Sequence, residues 1–208
     1  MKEHGVIAII KKHVLTAIGY MIPLVVAAGL CMALGQFIDG DVRNSTSGIG
    51  WDLYKAGGFG MSAVVPVITA GVAYSIADRP GIAPGLILGF ICTEIKAGFI
   101  GGIVAGFLAG FIVLGLKKLC EKLPDSLDGI KPTLIYPLVG IFIIGVLMCM
   151  IFNPLIGLIN TGLSNMLKGI SDAGMITVLG LILGAMMAID MGGPINKAAY
   201  VFGSGMLA

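Results

Sequence analysis

Leu134–Ile151 reads LIYPLVGIFIIGVLMCMI, an uninterrupted apolar run without one charged side chain. Ile176–Ile189, ITVLGLILGAMMAI, repeats the pattern. A strand of a membrane barrel alternates apolar and polar residues over segments of about ten. These runs do not alternate, so they predict membrane-spanning helices. Working outward, the whole chain has the same character. Of its 208 residues 57% are hydrophobic and only 12% charged, and the mean hydropathy is +1.03. Soluble domains carry about 25% charged residues. A water-soluble chain of this length could not hide so much apolar surface in one core. The bilayer is therefore the expected solvent. A signal peptide supplies one short apolar run near the N-terminus, whereas here the runs recur throughout.

The expected fold class is all-α: a polytopic membrane helical bundle with about six hydrophobic segments. Residues 1–14 set Lys2, Lys11 and Lys12 beside Val6, Ile7, Ile9 and Ile10, predicting an amphipathic N-terminal helix on the membrane surface. Spans are expected at about 15–38, with Pro23, and about 58–77, with Pro66, separated by a polar loop over 39–57. Asp78-Arg79-Pro80-Gly81 reads as a turn. A short third segment (82–93) leads through Glu94 and Lys96 to a glycine-rich span at about 97–116. A basic loop with Lys117, Lys118, Lys122 and Lys131 comes next. The following span covers about 133–152 and is expected to break at Asn153-Pro154. An amphipathic stretch (155–167) and a last apolar run (175–189) complete the series. Of the 33 glycines, Gly98, Gly101, Gly102, Gly106 and Gly110 suit close helix–helix approach.

Lys and Arg concentrate in alternate loops: Lys2, Lys11, Lys12, Arg79, Lys117, Lys118, Lys122 and Lys131 against Arg43, Lys55, Lys96 and Lys168. That asymmetry predicts a cytoplasmic N-terminus, provided the short third segment crosses; a re-entrant hairpin there would invert every later segment. The chain stops at Ala208 within a new apolar stretch, and a second half is expected in the complete protein.

Ionisable groups in membrane segments are costly and are candidate sites by default. Asp190 ends an apolar run and is followed by Gly192, Gly193, Pro194, Asn196 and Lys197. Two readings fit. A broken helix in the membrane exposes backbone groups and helix ends to a polar substrate such as a sugar; alternatively the segment is a loop at the membrane surface. Glu94 and Lys96 read as a loop at the bilayer edge before a ligand pair, and Asp78-Arg79 as a turn in which an ion pair could fix the re-entry. Trp51, Tyr54 and Tyr136 are expected as interfacial anchors. The KKLCEK run at Lys117–Lys122 is a cytoplasmic topology signal or a docking site for a soluble partner. Cys31, Cys92, Cys120 and Cys149 are scattered, with no CxxC, and read as small buried hydrophobes. His4 and His13 lie far from any ligand set, so no metal site is expected. The net charge of +2 is too small and dispersed for nucleic acid. No nucleophile–base pair or phosphate-binding glycine loop appears, so no catalytic residues and no cofactor are predicted.

Four segments carry a resemblance. GYMIPLVVAAGLCMALG (19–35), IADRPGIAPG (76–85), GFIGGIVAGFLAG (98–110) and above all GAMMAIDMGGPINKAAYVFG (184–203) resemble the fructose family of the bacterial phosphotransferase system (PTS), specifically its membrane permease, the enzyme IIC component. The resemblance covers nearly the whole chain in order. It implies uptake of a fructose-like sugar from outside, with phosphorylation by a phosphorylated IIB partner that is charged through IIA and the general phosphotransferase proteins. The phosphocysteine belongs to IIB, so no cysteine here inherits that role. It further implies residence in the bacterial cytoplasmic (inner) membrane among its lipids, a homodimer, a scaffold over residues 1–172, and a transport half opening at 173–208 with a re-entrant hairpin. The implied sugar ligands are Asp190, Gly192, Gly193, Asn196 and Lys197. The family pattern continues with Thr-Glu-Gly-Ala-Ile-Pro, which these residues do not reach, and Glu94 in TEIKAG does not replace that glutamate. Two other functions are compatible with the same residues: a non-transporting scaffold that dimerises or docks IIB, and a proton-coupled sugar symporter.

Overall fold

The computed structural model describes residues 5–95, 97–121, 124, 129–189 and 194–205, and among them there is no strand. The first helix, α1 (Val6–Ile38), is one continuous element of 33 residues, about 50 Å long at 1.5 Å per residue. The expected surface helix and first span are thus not separate pieces. Nothing between Lys12 and Thr16 breaks a helix: no glycine or proline occurs there.

After a turn over 39–48, α2 (Ile49–Ser62) and α3 (Val64–Ala77) follow. The polar loop expected over 39–57 is therefore shorter, and Trp51, Tyr54 and Lys55 stand on a helix. Small residues make this so. A Cβ added at Gly57 would lie 2.5 Å from the Ala28 carbonyl oxygen, and one at Gly35 2.7 Å from the Tyr54 backbone nitrogen. The α1–α2 pair is close enough to hold a polar sequence in helical form. The span expected to run through Pro66 is interrupted at Ala63, where a single turn residue separates α2 from α3. Proline has no N–H, so Pro66 cannot donate to the Ser62 carbonyl four residues back, and the helix restarts.

Helix α3 is the axis of the bundle. Pro66, Ile68, Thr69, Ala70, Gly71, Val72, Ala73 and Ala77 are all buried. Two glycine stripes, each at four-residue spacing, pack on it. Gly81, Gly85 and Gly89 come from the Arg79–Gly81 turn and α4 (Ile82–Glu94); they meet Ala73, Ala70 and Pro66 respectively, so α4 runs antiparallel to α3. Gly102, Gly106 and Gly110 come from α5 (Gly98–Cys120) and meet Val65, Val72 and Ile76, so α5 runs parallel to it. Of the five glycines expected to serve close approach, Gly102, Gly106 and Gly110 do so against α3. Gly98 instead takes φ +67 at the start of α5, a conformation that favours glycine. The buried Thr69 hydroxyl lies 2.8 Å from the Val65 carbonyl and 3.0 Å from that of Gly102, sharing its proton between them.

The apolar run around Leu134–Ile151 is helical from Lys131 to Phe152. It begins with a π-helical turn at Lys131–Ile135, continues as α6 (Tyr136–Leu147), and passes through a second π-helical turn at Met148–Phe152. Asn153-Pro154 does not end it. The wider turn absorbs the missing Pro154 donor, and α7 (Asn153–Asp172) continues directly. Gly174, with φ +70, then closes α7: its N–H bonds the Ser171 carbonyl at 2.9 Å and the Met175 N–H that of Ile170 at 3.3 Å. This is a Schellman cap. Helices α8 (Ile176–Ile189) and α9 (Pro194–Gly205) complete the described chain.

Among the described residues, four helical stretches are long and apolar enough to cross a membrane: Val6–Ile38, Ile49–Ala77, Gly98–Cys120 and Lys131–Phe152. Large apolar side chains such as Ile7, Phe37, Phe142 and Leu181 point outward, as expected when the solvent is lipid. The protein is an all-α membrane helical bundle.

Among the described residues, two of the buried clusters bear on the site. Ala73, Leu88, Cys92, Ala105, Ile144 and Met148 form a core among α3, α4, α5 and the α6 stretch. Leu167, Leu179, Met186 and Ala199 form another, built from α7, α8 and α9 alone.

Candidate functional site

The sequence places its sugar ligands at the break between α8 and α9. Gly203 near the end of α9 faces Leu183, and Asn196 near its start faces Met187. The two helices therefore form an antiparallel hairpin. With 14 and 12 residues, each is shorter than the ~20 residues needed to cross a bilayer. Met186 and Ala199 are buried against Leu167, so α7 supports the hairpin from behind.

Each helix end carries part of the helix dipole: negative potential at the C-terminus of α8 and positive potential at the N-terminus of α9. In this hairpin the C-terminus of α8 and the N-terminus of α9 lie at the same end. Pro194 opens α9, a position where its missing N–H costs nothing. The Asn196 side-chain amide donates to the Met187 carbonyl at 3.0 Å, satisfying one of the α8 orphan acceptors across the break. Asn196 thus holds the two helix ends in register. Asp190, Gly192 and Gly193 lie outside the described residues, as does the Lys197 side chain, so of the expected ligands the structure places Asn196 alone in atomic detail.

Other polar groups are arranged differently from the sequence expectation. Asp78 pairs with Lys117 of α5 at 3.7 Å rather than with Arg79. Its backbone, at φ 58 and ψ −154, is the one non-glycine residue with positive φ among the described residues, and nothing in the sequence signals that. Tyr136 is buried with Ala77, Val113, Leu116 and Cys120, so it is a core residue and not a lipid-facing anchor. Trp51 carries the Lys55 ammonium 4.4 Å from its ring centroid. Glu94 is exposed at the end of α4, beside Ser62 and Thr93. Lys96 lies outside the described residues. His13, read as isolated from the sequence, bonds Ser75 at 2.7 Å and packs edge-on against Phe107, tying α1 to α3 and α5. Cys92 and Cys120 are buried and Cys31 is partly so.

A family model described as "Phosphotransferase system, EIIC" matches residues 16–208. The chain belongs to this EIIC family. Among curated proteins, this EIIC chain is 44% identical over 204 residues to the PTS system fructose-specific EIIABC component of Bacillus subtilis (strain 168), covering 94% of the chain and 32% of that protein. It is 48% identical over 199 residues to the fructose-specific EIIB'BC component of Escherichia coli (strain K12), covering 95% of the chain and 35% of that protein. It is 52% identical over 147 residues to the fructose permease IIC component of Bacillus amyloliquefaciens, covering 71% and 48% respectively. The chain thus spans about a third of the length of the first of these relatives. No solved structure matches it significantly.

Proposed function

We propose that this EIIC chain is part of a fructose-type PTS permease, which carries the sugar inward while a IIB partner phosphorylates it. The α8–α9 hairpin carries this reading. Opposed helix dipoles meet where the sequence carries Asp190, Gly192, Gly193, Asn196 and Lys197, side chains and glycines suited to a polar sugar, in a hairpin whose helices are each too short to cross the membrane. Family membership and the names of the relatives favour phosphoenolpyruvate-coupled uptake over proton symport. Those relatives named EIIB'BC or EIIABC support a IIB partner, fused or separate.

The packing also bears on the division into scaffold and transport parts. The sequence puts that division at 172/173, but α7 packs with α8 and α9, which favours a mobile unit beginning near Asn153. A homodimer would then be built on the scaffold helices.

Inner-membrane residence with a cytoplasmic N-terminus is favoured by where the bundle gathers its charge. His13 meets Ser75 and Lys117 meets Asp78, so Lys11, Lys12, Arg79, Lys117 and Lys118 share one end. Cytoplasmic loops carry such an excess.

Phosphoenolpyruvate-dependent fructose uptake by the protein in its native gene context tests the site. Asp190→Ala is expected to raise the half-saturating fructose concentration about tenfold or more, the worth of one charge-assisted hydrogen bond. Unchanged uptake and affinity would remove Asp190 from the site, and uptake that follows a proton gradient without phosphoenolpyruvate would remove the PTS reading.

A further inference from the structure

Between α1, α3 and α4 lies an open groove of about 470 Å³, floored by Ala70 and Gly71, walled by Tyr20, Tyr74 and Leu86, and reaching Arg79 where α3 turns into α4. It opens on the outer face of helices long and apolar enough to sit in a membrane. The floor is recessed because Gly71 has no side chain and packs directly on Ala17. Along α3 the groove runs from Val67 to Tyr74, about 10 Å. That is short for a helix-on-helix interface and suits the glycerol-proximal part of one acyl chain.

Arg79 supplies the other half of the recognition. It is exposed, its neighbour Asp78 is paired with Lys117, and among the described residues no acceptor pairs with its guanidinium. A guanidinium presents a planar fork of donors that matches a phosphate. Tyr20 and Tyr74 stand edge to face with ring centroids 6.1 Å apart, an amphipathic pair suited to the headgroup boundary. Lys11, Lys12, Lys117 and Lys118 lie at the same end and add positive potential. A neutral groove would accept any lipid, but one ending in such a cation selects a negative headgroup. We propose that this groove binds a single anionic phospholipid, its acyl chain on the Ala70–Gly71 floor and its phosphate against Arg79.

The detergent-solubilised full chain, offered equimolar phosphatidylglycerol and phosphatidylcholine, tests this by native mass spectrometry of the retained lipid. One phosphatidylglycerol is expected per chain, preferred about fivefold over phosphatidylcholine, the worth of one near-surface cation. Arg79→Gln should erase most of that preference and Arg79→Lys keep part of it. Leu86→Trp, which fills the groove, should lower retention of both lipids. Equal retention of the two lipids by the unmodified chain would overturn the proposal, as would an unchanged preference in Arg79→Gln. So would displacement of phosphatidylglycerol by inorganic phosphate alone, or a disulfide formed between two copies through Ile82→Cys, which would place a second chain over the groove.

Discussion

Asp78 is held at φ 58 and ψ −154, a region populated almost only by glycine and costing about 1–3 kcal/mol for other residues. It is kept there because the chain must turn within a few residues, from the end of α3 through Arg79-Pro80-Gly81 into α4, and the Gly81 N–H bonds the Asp78 carbonyl at 2.9 Å. The side chain pairs with Lys117 but is largely exposed, and exposed pairs contribute only about 0–1 kcal/mol. Strain relief should therefore outweigh the lost pair. Asp78→Gly is expected to stabilise the purified protein by about 1 kcal/mol after allowing for the freer unfolded chain. Asp78→Ala, which keeps the strain and loses the pair, should not stabilise. Thermal unfolding in one detergent compares the two; a lower midpoint for the glycine variant would show that the pair with Lys117 dominates.

At the scale of elements, glycine decides which helices touch. A Cβ at Gly106 would lie 2.7 Å from the Val72 Cβ and 2.8 Å from the Thr69 carbonyl oxygen, whereas one at Gly115 would meet nothing within 4 Å. The contact at Gly106 is with backbone and a branched side chain, neither of which can move aside. Gly106→Ala is expected to cost about 1–3 kcal/mol by overpacking, and Gly115→Ala to be close to neutral. Equal unfolding temperatures for the two variants would show that α5 slides freely on α3. The sequence identified the glycine-rich span but not the contact, because a helix shows the same glycines whichever neighbour it meets. Segment boundaries failed for related reasons. The stretch 49–57 carries Asp52 and Lys55 and reads as loop, yet it is helical because Gly35, Gly50 and Gly57 let it lie against α1. Asn153-Pro154 reads as a stop, yet a π-helical turn carries the helix through it.

For the whole molecule, the open question is orientation. With the native cysteines replaced by alanine, a cysteine at Lys118 should react with a membrane-impermeant maleimide only in inside-out vesicles, and one at Arg43 only in right-side-out cells. The reverse pattern would invert the topology. The expected orientation rests on the charge asymmetry of the short loops. The candidate site was legible only as a string of residues. That Asn196 spends its amide on the Met187 carbonyl, and so positions the break, needed the fold-back of α9 on α8. The groove at Tyr20, Tyr74 and Arg79 was not legible at all, since it forms only where α1 packs beside the α3–α4 pair, far from it in sequence.

Apolar runs without alternation, scarce charge and proline-punctuated segments were enough by themselves to determine a helical bundle solvated by lipid. Those are properties of single segments, set by the cost of exposing apolar side chains to water and backbone groups to lipid. Which helix becomes the axis, that α7 joins α8 and α9, that Tyr136 is buried and that Arg79 has no acceptor among the described residues were decided only by tertiary structure. Inside a bilayer, helices are sorted by how closely their surfaces fit and how their polar groups pair, and both are properties of pairs of helices that no single run of sequence contains.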